Sequence, residues 1–105
     1  MLQTWIHRIT PDKEARLRAW FSEMDQRREE LRESFAAAGV RAEQAYVLSG
    51  VTGTLLVYVS EADDHARAER VYAASTLSID VEHRAVMQEC VEQTIAEAPA
   101  YDVTF

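Results

Sequence analysis

Residues 44–59 read Gln44-Ala45-Tyr46-Val47-Leu48-Ser49-Gly50-Val51-Thr52-Gly53-Thr54-Leu55-Leu56-Val57-Tyr58-Val59. Two runs rich in β-branched and aromatic residues meet across a short stretch that begins and ends on glycine, which is the pattern of a hairpin. Gln44 to Ser49 and Thr54 to Val59 are therefore expected as paired strands. Leu55, Leu56, Val57 and Val59 form the most apolar run of the chain, as a central strand requires.

Working outward towards the N-terminus, Leu2 to Ile9 is another short apolar and β-branched run and reads as a strand. Alternation places Leu2, Thr4, Ile6 and Arg8 on one face and Gln3, Trp5, His7 and Ile9 on the other. Thr10-Pro11 then opens a helix, with Thr10 as N-cap, Pro11 at the first helical position, and Asp12 and Glu14 in the first turn. Spacings of three and four through Leu17, Phe21, Met24, Arg28, Leu31, Phe35 and Ala38 predict one helix to about Ala38. Gly39 is its left-handed stop. Such a helix is roughly 40 Å long at 1.5 Å per residue.

Beyond the hairpin, Asp63 to about Ser75 is expected as a second, weakly amphipathic helix. Residues 76–93 follow as a third, with Asp80 as N-cap and Glu82 in the first turn. Its stripe is Met87, Cys90, Val91, Thr94 and Ile95, and His83 shares that face at the helix start. Pro99 ends it, and Ala100 to Phe105 alternates as a last strand. The order β-α-β-β-α-(α)-β over residues 1–105 is that of a single ferredoxin-like α+β domain with a four-stranded antiparallel sheet. Such a sheet carries helices on one face. Trp5, Tyr46, Leu48, Leu56 and Tyr58 are available for the other, and a second copy of the chain is the economical cover, giving a dimeric α/β barrel.

The bulk numbers narrow the function classes. A hydrophobic content of 48% and a charged content of 28% are those of an ordinary globular protein. The formal net charge of −7 disfavours nucleic acid and anionic membrane as partners, since both need a basic surface. No apolar run is long enough to cross a bilayer and no basic-then-apolar leader opens the chain. The single Cys makes no intrachain disulfide, so a cytoplasmic location is expected. Gly-rich phosphate loops, Gly-x-Ser-x-Gly and dinucleotide fingerprints are lacking. Three well-separated His without an i,i+4 pair or Cys partner give no structural zinc pattern, and no metal or cofactor is expected.

The arrangement resembles the dimeric α/β-barrel superfamily of rhamnose mutarotases, small polyketide cyclases such as olivetolic acid cyclase, and antibiotic-pathway monooxygenases. A more particular likeness, to an uncharacterised family of small domains of unknown function, rests on three stretches. These are Thr10-Pro11-Asp12-Lys13, Arg27-Arg28-Glu29-Glu30, and Ser78-Ile79-Asp80-Val81-Glu82-His83 followed by Met87 and Glu89. The resemblance to the cyclases implies a histidine near the start of the last helical segment working with a tyrosine. His83 matches the first role by position, and Tyr46, Tyr58 or Tyr72 the second. The chain departs from that pattern at Ile79-Asp80-Val81-Glu82, where the cyclases have a proline and small residues.

The expected chemistry is a cofactor-independent isomerase, cyclase or lyase acting on a small organic molecule between sheet and helices. The alternative is a non-catalytic homodimeric binding or interaction module. In the enzyme reading His83 is the general acid or base, because its pKa lies near the working pH, and Tyr58 is carried forward as its partner. The structural alternative is a histidine that caps the helix or hydrogen-bonds a loop carbonyl. His7, Trp5, Tyr46 and Arg28 are the candidate substrate-binding residues. Arg28 has two explanations: a planar fork for an anionic group, or an edge arginine paired with an acid such as Glu82. His65 is expected to face solvent or cap, and Cys90 to be a buried inert thiol.

Overall fold

The strand β3 (Gly53–Ala62) alternates strictly, its even-numbered residues from Leu56 to Ala62 buried and the odd-numbered ones between them half-buried. Both of its faces are therefore partly covered, as befits an inner strand. The computed structural model, which describes residues 1–105, pairs it on one side with β2 (Val40–Gly50) and on the other with β1 (Leu2–Ile9). All pairings are antiparallel, and the sheet order is β2-β3-β1-β4, with β4 at Val91–Ile95. Four helices accompany this one sheet, an α+β architecture compatible with a ferredoxin-like fold.

The hairpin turns at Val51-Thr52 between Gly50 and Gly53, as its glycines predict. Gly53 has φ +126°, a conformation side chains disfavour.

The single long helix expected from 11 to 38 is instead two. Pro11 and Asp12 are not helical: the Lys13 amide donates to the Thr10 carbonyl at 3.1 Å and Asp12 has φ +71°. That is a tight turn with proline at its second position and a positive φ at its third, as a type II turn has. Helix α1 starts only at Glu14 and ends at Gln26, and α2 runs from Arg28 to Ala38, with Gly39 in the expected left-handed cap at φ 77°. The break falls on Arg27 at φ −107°, ψ 51°. A straight rod of roughly 40 Å would overshoot a molecule whose greatest extent is 37 Å. The bend keeps both halves over the sheet, and it shifts the helical phase so that Arg28 leaves the apolar stripe.

Helix α3 covers His65–Ala74, with Asp64 as N-cap accepting from the Arg67 amide at 3.0 Å. Helix α4 covers Ser78–Cys90 and begins two residues before the expected cap at Asp80. The last strand is also displaced: Val91–Ile95 is β4, and residues 96–105 form no strand. Val91, Thr94 and Ile95 fit a helical stripe by spacing, but they pair with β1 as Ile9↔Val91, His7↔Thr94 and Ile6↔Ile95. Gained ladder bonds override a local pattern that suits either structure.

All four helices pack on the Tyr58 face of the sheet, around a core that includes Ile9, Leu17, Trp20, Leu56, Ile79 and Cys90. Here too the expectation is corrected. Trp5, Leu56 and Tyr58 face the helices, whereas Tyr46 and Leu48 pair with Val57 and Leu55 on the outer face. Of the set assigned to the uncovered side, only Tyr46 and Leu48 are there.

Candidate functional site

Between the sheet and the helices lies a pocket of about 420 Å³, and just over half of the residues lining it are hydrophobic. Trp5, His7 and Tyr58 rise from the sheet, Leu31 and Phe35 come from α2, Tyr72 from α3, and His83 and Met87 from α4.

His83 sits at its centre. Trp20 on α1 donates its indole N–H to His83 Nδ1 at 2.7 Å, and Tyr58 Oη lies 3.0 Å from His83 Nε2. An indole can only donate, so Nδ1 must be the acceptor. The neutral ring therefore carries its hydrogen on Nε2 and donates it to the Tyr58 oxygen. The phenolic hydrogen of Tyr58 is left to point onwards, where it meets Met87 Sδ at 3.7 Å. A thioether is a weak acceptor, and a ligand oxygen in the pocket would displace it.

The same wiring keeps the imidazole neutral. A proton on Nδ1 would set two donors head to head, and burial pushes the ring down to about 4, against the pull of Asp80 and with help from His7. Burial also pushes the Tyr58 hydroxyl well above the usual phenol range, with the Glu43 charge adding to the effect. Tyr58 is thus a standing donor with its proton in place.

The relay is braced from behind. The Arg27 guanidinium lies 5.8 Å from the Trp20 ring centre and bridges Glu30 and Glu82, each at 2.7 Å or less. Those hydrogen bonds raise the arginine further above its ordinary value and lower both carboxylates. Below His83, the buried Asp80 accepts from Ser34 on α2 and Ser75 before α4, both at 2.6 Å. A buried carboxylate held by two hydroxyls ties α2 to the start of α4, and so fixes the turn that carries His83.

The predicted site residues divide cleanly. His83, Tyr58, His7 and Trp5 all line the pocket. His7 Nδ1 is 3.0 Å from Thr94 Oγ1, and burial lowers its pKa. Tyr46 is on the opposite face of the sheet, where its hydroxyl donates to Gln44 at 2.8 Å. Arg28 is on the surface, paired with Asp25 at 2.7 Å, and it is Arg27 that reaches Glu82. Cys90 is fully buried, and burial raises its thiol. His65, expected at the surface, is buried instead: its Nε2 lies 2.7 Å from the Met1 carbonyl, which only accepts, so Nε2 carries the hydrogen.

Tyr72, offered with Tyr46 and Tyr58 by the resemblance to the cyclases, lines the pocket, its hydroxyl raised by burial. Two residues of the site have no mark in the local sequence: Trp20, which stands behind His83 rather than in the pocket wall, and Glu43. Nothing in the sequence around Trp20 names His83 as its partner. Glu43 lies on β2 opposite Ser60, on the pocket face, although the exposed pattern of β2 hides it. No three His, Cys, Asp or Glu side chains converge as metal ligands do, and no helix is long and apolar enough to cross a membrane.

Fold and site together define a small α+β domain with a mostly apolar pocket and an oriented phenol–imidazole pair at its floor. The chain belongs to a family of unknown function, DUF6176, whose profile matches residues 2–104. No curated protein and no solved structure matches it.

Proposed function

We propose that this chain is a cofactor-independent enzyme of the isomerase, cyclase or lyase type, acting on a small carbonyl compound held between sheet and helices. The observation that carries the reading is the chain of hydrogen bonds Trp20→His83→Tyr58, whose last hydrogen is held only by the weak acceptor Met87 Sδ in the pocket wall. Tyr58 donates to the carbonyl oxygen and to the negative charge that develops on it. A preorganised donor in a partly desolvated site acts more strongly there than in water. His83 acts through Tyr58: it orients the hydroxyl, and the hydrogen bond it gives the phenol oxygen strengthens Tyr58 as a donor. His83, expected as the acid or base, is in this reading a positioning residue, and Tyr58 is the group that meets the carbonyl. His7 and Trp5 border the same space and shape it for a flat or ring-bearing molecule.

We also propose that a second copy of the chain covers the outer face of the sheet, giving the dimeric α/β barrel expected from the superfamily resemblance. Leu2, Tyr46 and Leu48 are 69%, 47% and 50% exposed on that face. Ile6, Leu55, Val57, Val59 and Ile95 lie half-buried among them. An apolar surface of this kind is characteristic of an interface.

The test of the pocket reading uses acetophenone, an aryl ketone with one acceptor oxygen, titrated against the ¹⁵N-labelled protein. Saturable shifts of the Trp20 indole N–H, weakened about tenfold in Tyr58→Phe by loss of one buried hydrogen bond, support it. Absence of saturable shifts, or equal affinity in the variant, overturns it.

A further inference from the structure

Isomerisation, cyclisation or elimination next to a carbonyl needs a group that removes a proton, and Tyr58 and His83 are not it: one keeps its hydrogen and the other has its free lone pair taken by Trp20. We propose that Glu43 is the catalytic base of this pocket, removing a proton from the carbon beside a carbonyl whose oxygen is held by Tyr58. The inference rests on the reading of Tyr58 as the carbonyl-binding group.

The assignment follows from accounting for every acid in the pocket wall. Asp80 has both oxygens engaged by Ser34 and Ser75. Glu69 accepts from the Trp5 indole at 3.2 Å. Glu43 makes no hydrogen bond and no ion pair with the protein, so its carboxylate is the free one. Its register places it correctly. Glu43 pairs with Ser60 and Ala45 with Tyr58, so Glu43 sits one diagonal step from Tyr58 on the same face of the sheet. The distance across such a diagonal, roughly 7–8 Å between backbones, leaves room for a two- or three-carbon fragment between carboxylate and hydroxyl.

The other charged and titratable groups facing this space do not neutralise it. The Arg84 guanidinium is spent on the carbonyls of Tyr72 and Ser75. From the sheet, His7 is tied to Thr94; from α3, His65 is engaged with the Met1 carbonyl. Helices α1 and α2 add Met24, Leu31, Ser34, Phe35 and Ala38, none of them charged. Glu43 has no partner and stands on the edge strand β2 at the open side of the pocket; the desolvation it does feel pushes its carboxyl up, to about 7, the direction a general base at neutral pH needs.

The step balances without an external reagent. The carboxylate takes the proton, the electron pair of the C–H bond becomes the new C=C bond, and the carbonyl π pair moves to oxygen, where Tyr58 donates to it. Returning the proton to the same carbon gives exchange with solvent; returning it to a neighbouring conjugated carbon gives isomerisation. The substrate class is accordingly an enolisable ketone or aldehyde with an apolar or aromatic body.

The experiment follows deuterium uptake into the acetophenone methyl group in D₂O, with binding read in parallel from the Trp20 indole signal. The wild-type protein is expected to speed exchange over buffer, with a rate that rises through about pH 7 and then levels. Glu43→Gln is expected to lose about a hundredfold or more of that rate while binding the ketone as before. An intact ¹H–¹⁵N spectrum identifies folded Glu43→Gln protein, and Glu43→Asp, which keeps the base and shortens its reach, should recover part of the rate. Exchange unchanged in Glu43→Gln, exchange lost only in His7→Gln, or no acceleration by wild type that binds the ketone each overturns the assignment of Glu43. Failure to bind acetophenone at all overturns instead the reading of Tyr58 on which it rests.

Discussion

Tyr58 and His83 approach to 3.0 Å from opposite layers of the fold, one on the inner strand β3 and the other on α4. The partnership has a direction because Trp20 occupies the far nitrogen of the ring at 2.7 Å. Replacing Trp20 by Phe removes that donor while keeping an aromatic ring in the core. His83 Nδ1 then gains a free lone pair, and its pKa should rise from about 4, while burial still holds it below its ordinary 6.5. The cost in stability should be about 1–3 kcal/mol, for a buried acceptor left without its donor. Histidine ring signals followed by NMR across pH 3.5–8 (about the span both values need) measure the shift, and a His83 midpoint unchanged in the variant contradicts this wiring.

Acid should weaken the protein through the same ring. His83 is held at about 4 in the fold and is near 6.5 when unfolded, so between those values the unfolded chain binds more protons. The contribution of this ring is then highest above pH 6.5, falls as pH drops towards 4, and levels below that, while the raised Glu43 carboxyl opposes it between about 7 and 4.5. At about 1.36 kcal/mol per unit, the full loss from this group is on the order of 3 kcal/mol. His7, also lowered by burial, acts in the same direction. His83→Gln isolates the larger share, since a glutamine can accept from Trp20 and donate to Tyr58 without titrating. On going from pH 7 to pH 4.5 the urea midpoint of this variant should move in the stabilising direction relative to the same change in wild type, and an identical change in both contradicts the assignment.

The hairpin at Gly50–Gly53 was legible because both glycines and the alternating pattern agree on one structure. The same holds for the left-handed stop at Gly39. What the local pattern missed is set by contacts distant in sequence. Nothing between Cys90 and Val91 marks the end of a helix, and only pairing with β1 makes a strand of residues 91–95. Arg27 breaks the long helix without a glycine or proline, while its guanidinium gathers Glu23, Glu30 and Glu82. Pro11 looks like a helix start, but the positive φ of Asp12 makes it a turn. In the site, His83 was visible as a titratable residue on an apolar stripe. Glu43 was invisible because it reads as one more charge on a polar strand, and its face depends on pairing with Ser60.

Asp80 gives a measure of how tightly the helix carrying His83 is held. Only 6% exposed, it relies on the hydroxyls of Ser34 and Ser75 at 2.6 Å. Ser34→Ala leaves one carboxylate oxygen without its donor and should cost about 1–3 kcal/mol. Asp80→Ala removes the acceptor for both hydroxyls and should cost at least as much, with ketone affinity falling alongside stability because the start of α4 loosens. Denaturant unfolding with acetophenone titration reads both quantities, and a neutral Ser34→Ala shows that the bond contributes nothing.

The proposed pairing of two sheets makes a prediction that separates the two faces of the molecule. Leu48 is half exposed on the outer face opposite Leu55, on the far side of the sheet from the pocket. A carboxylate placed there would be buried against the partner's apolar sheet without a counter-charge, a cost large enough to dissociate the dimer. Leu48→Glu should therefore elute in light-scattering chromatography at the mass of one chain, where wild type elutes at two. Val81 on α4 is 47% exposed and belongs to the helical layer, so Val81→Glu should leave the pair intact. The Trp20 indole signal in the Leu48→Glu protein distinguishes a folded monomer from an unfolded one. A wild-type protein that runs as a single chain at all concentrations, or a Leu48→Glu protein that still runs as two, removes the second copy from the outer face.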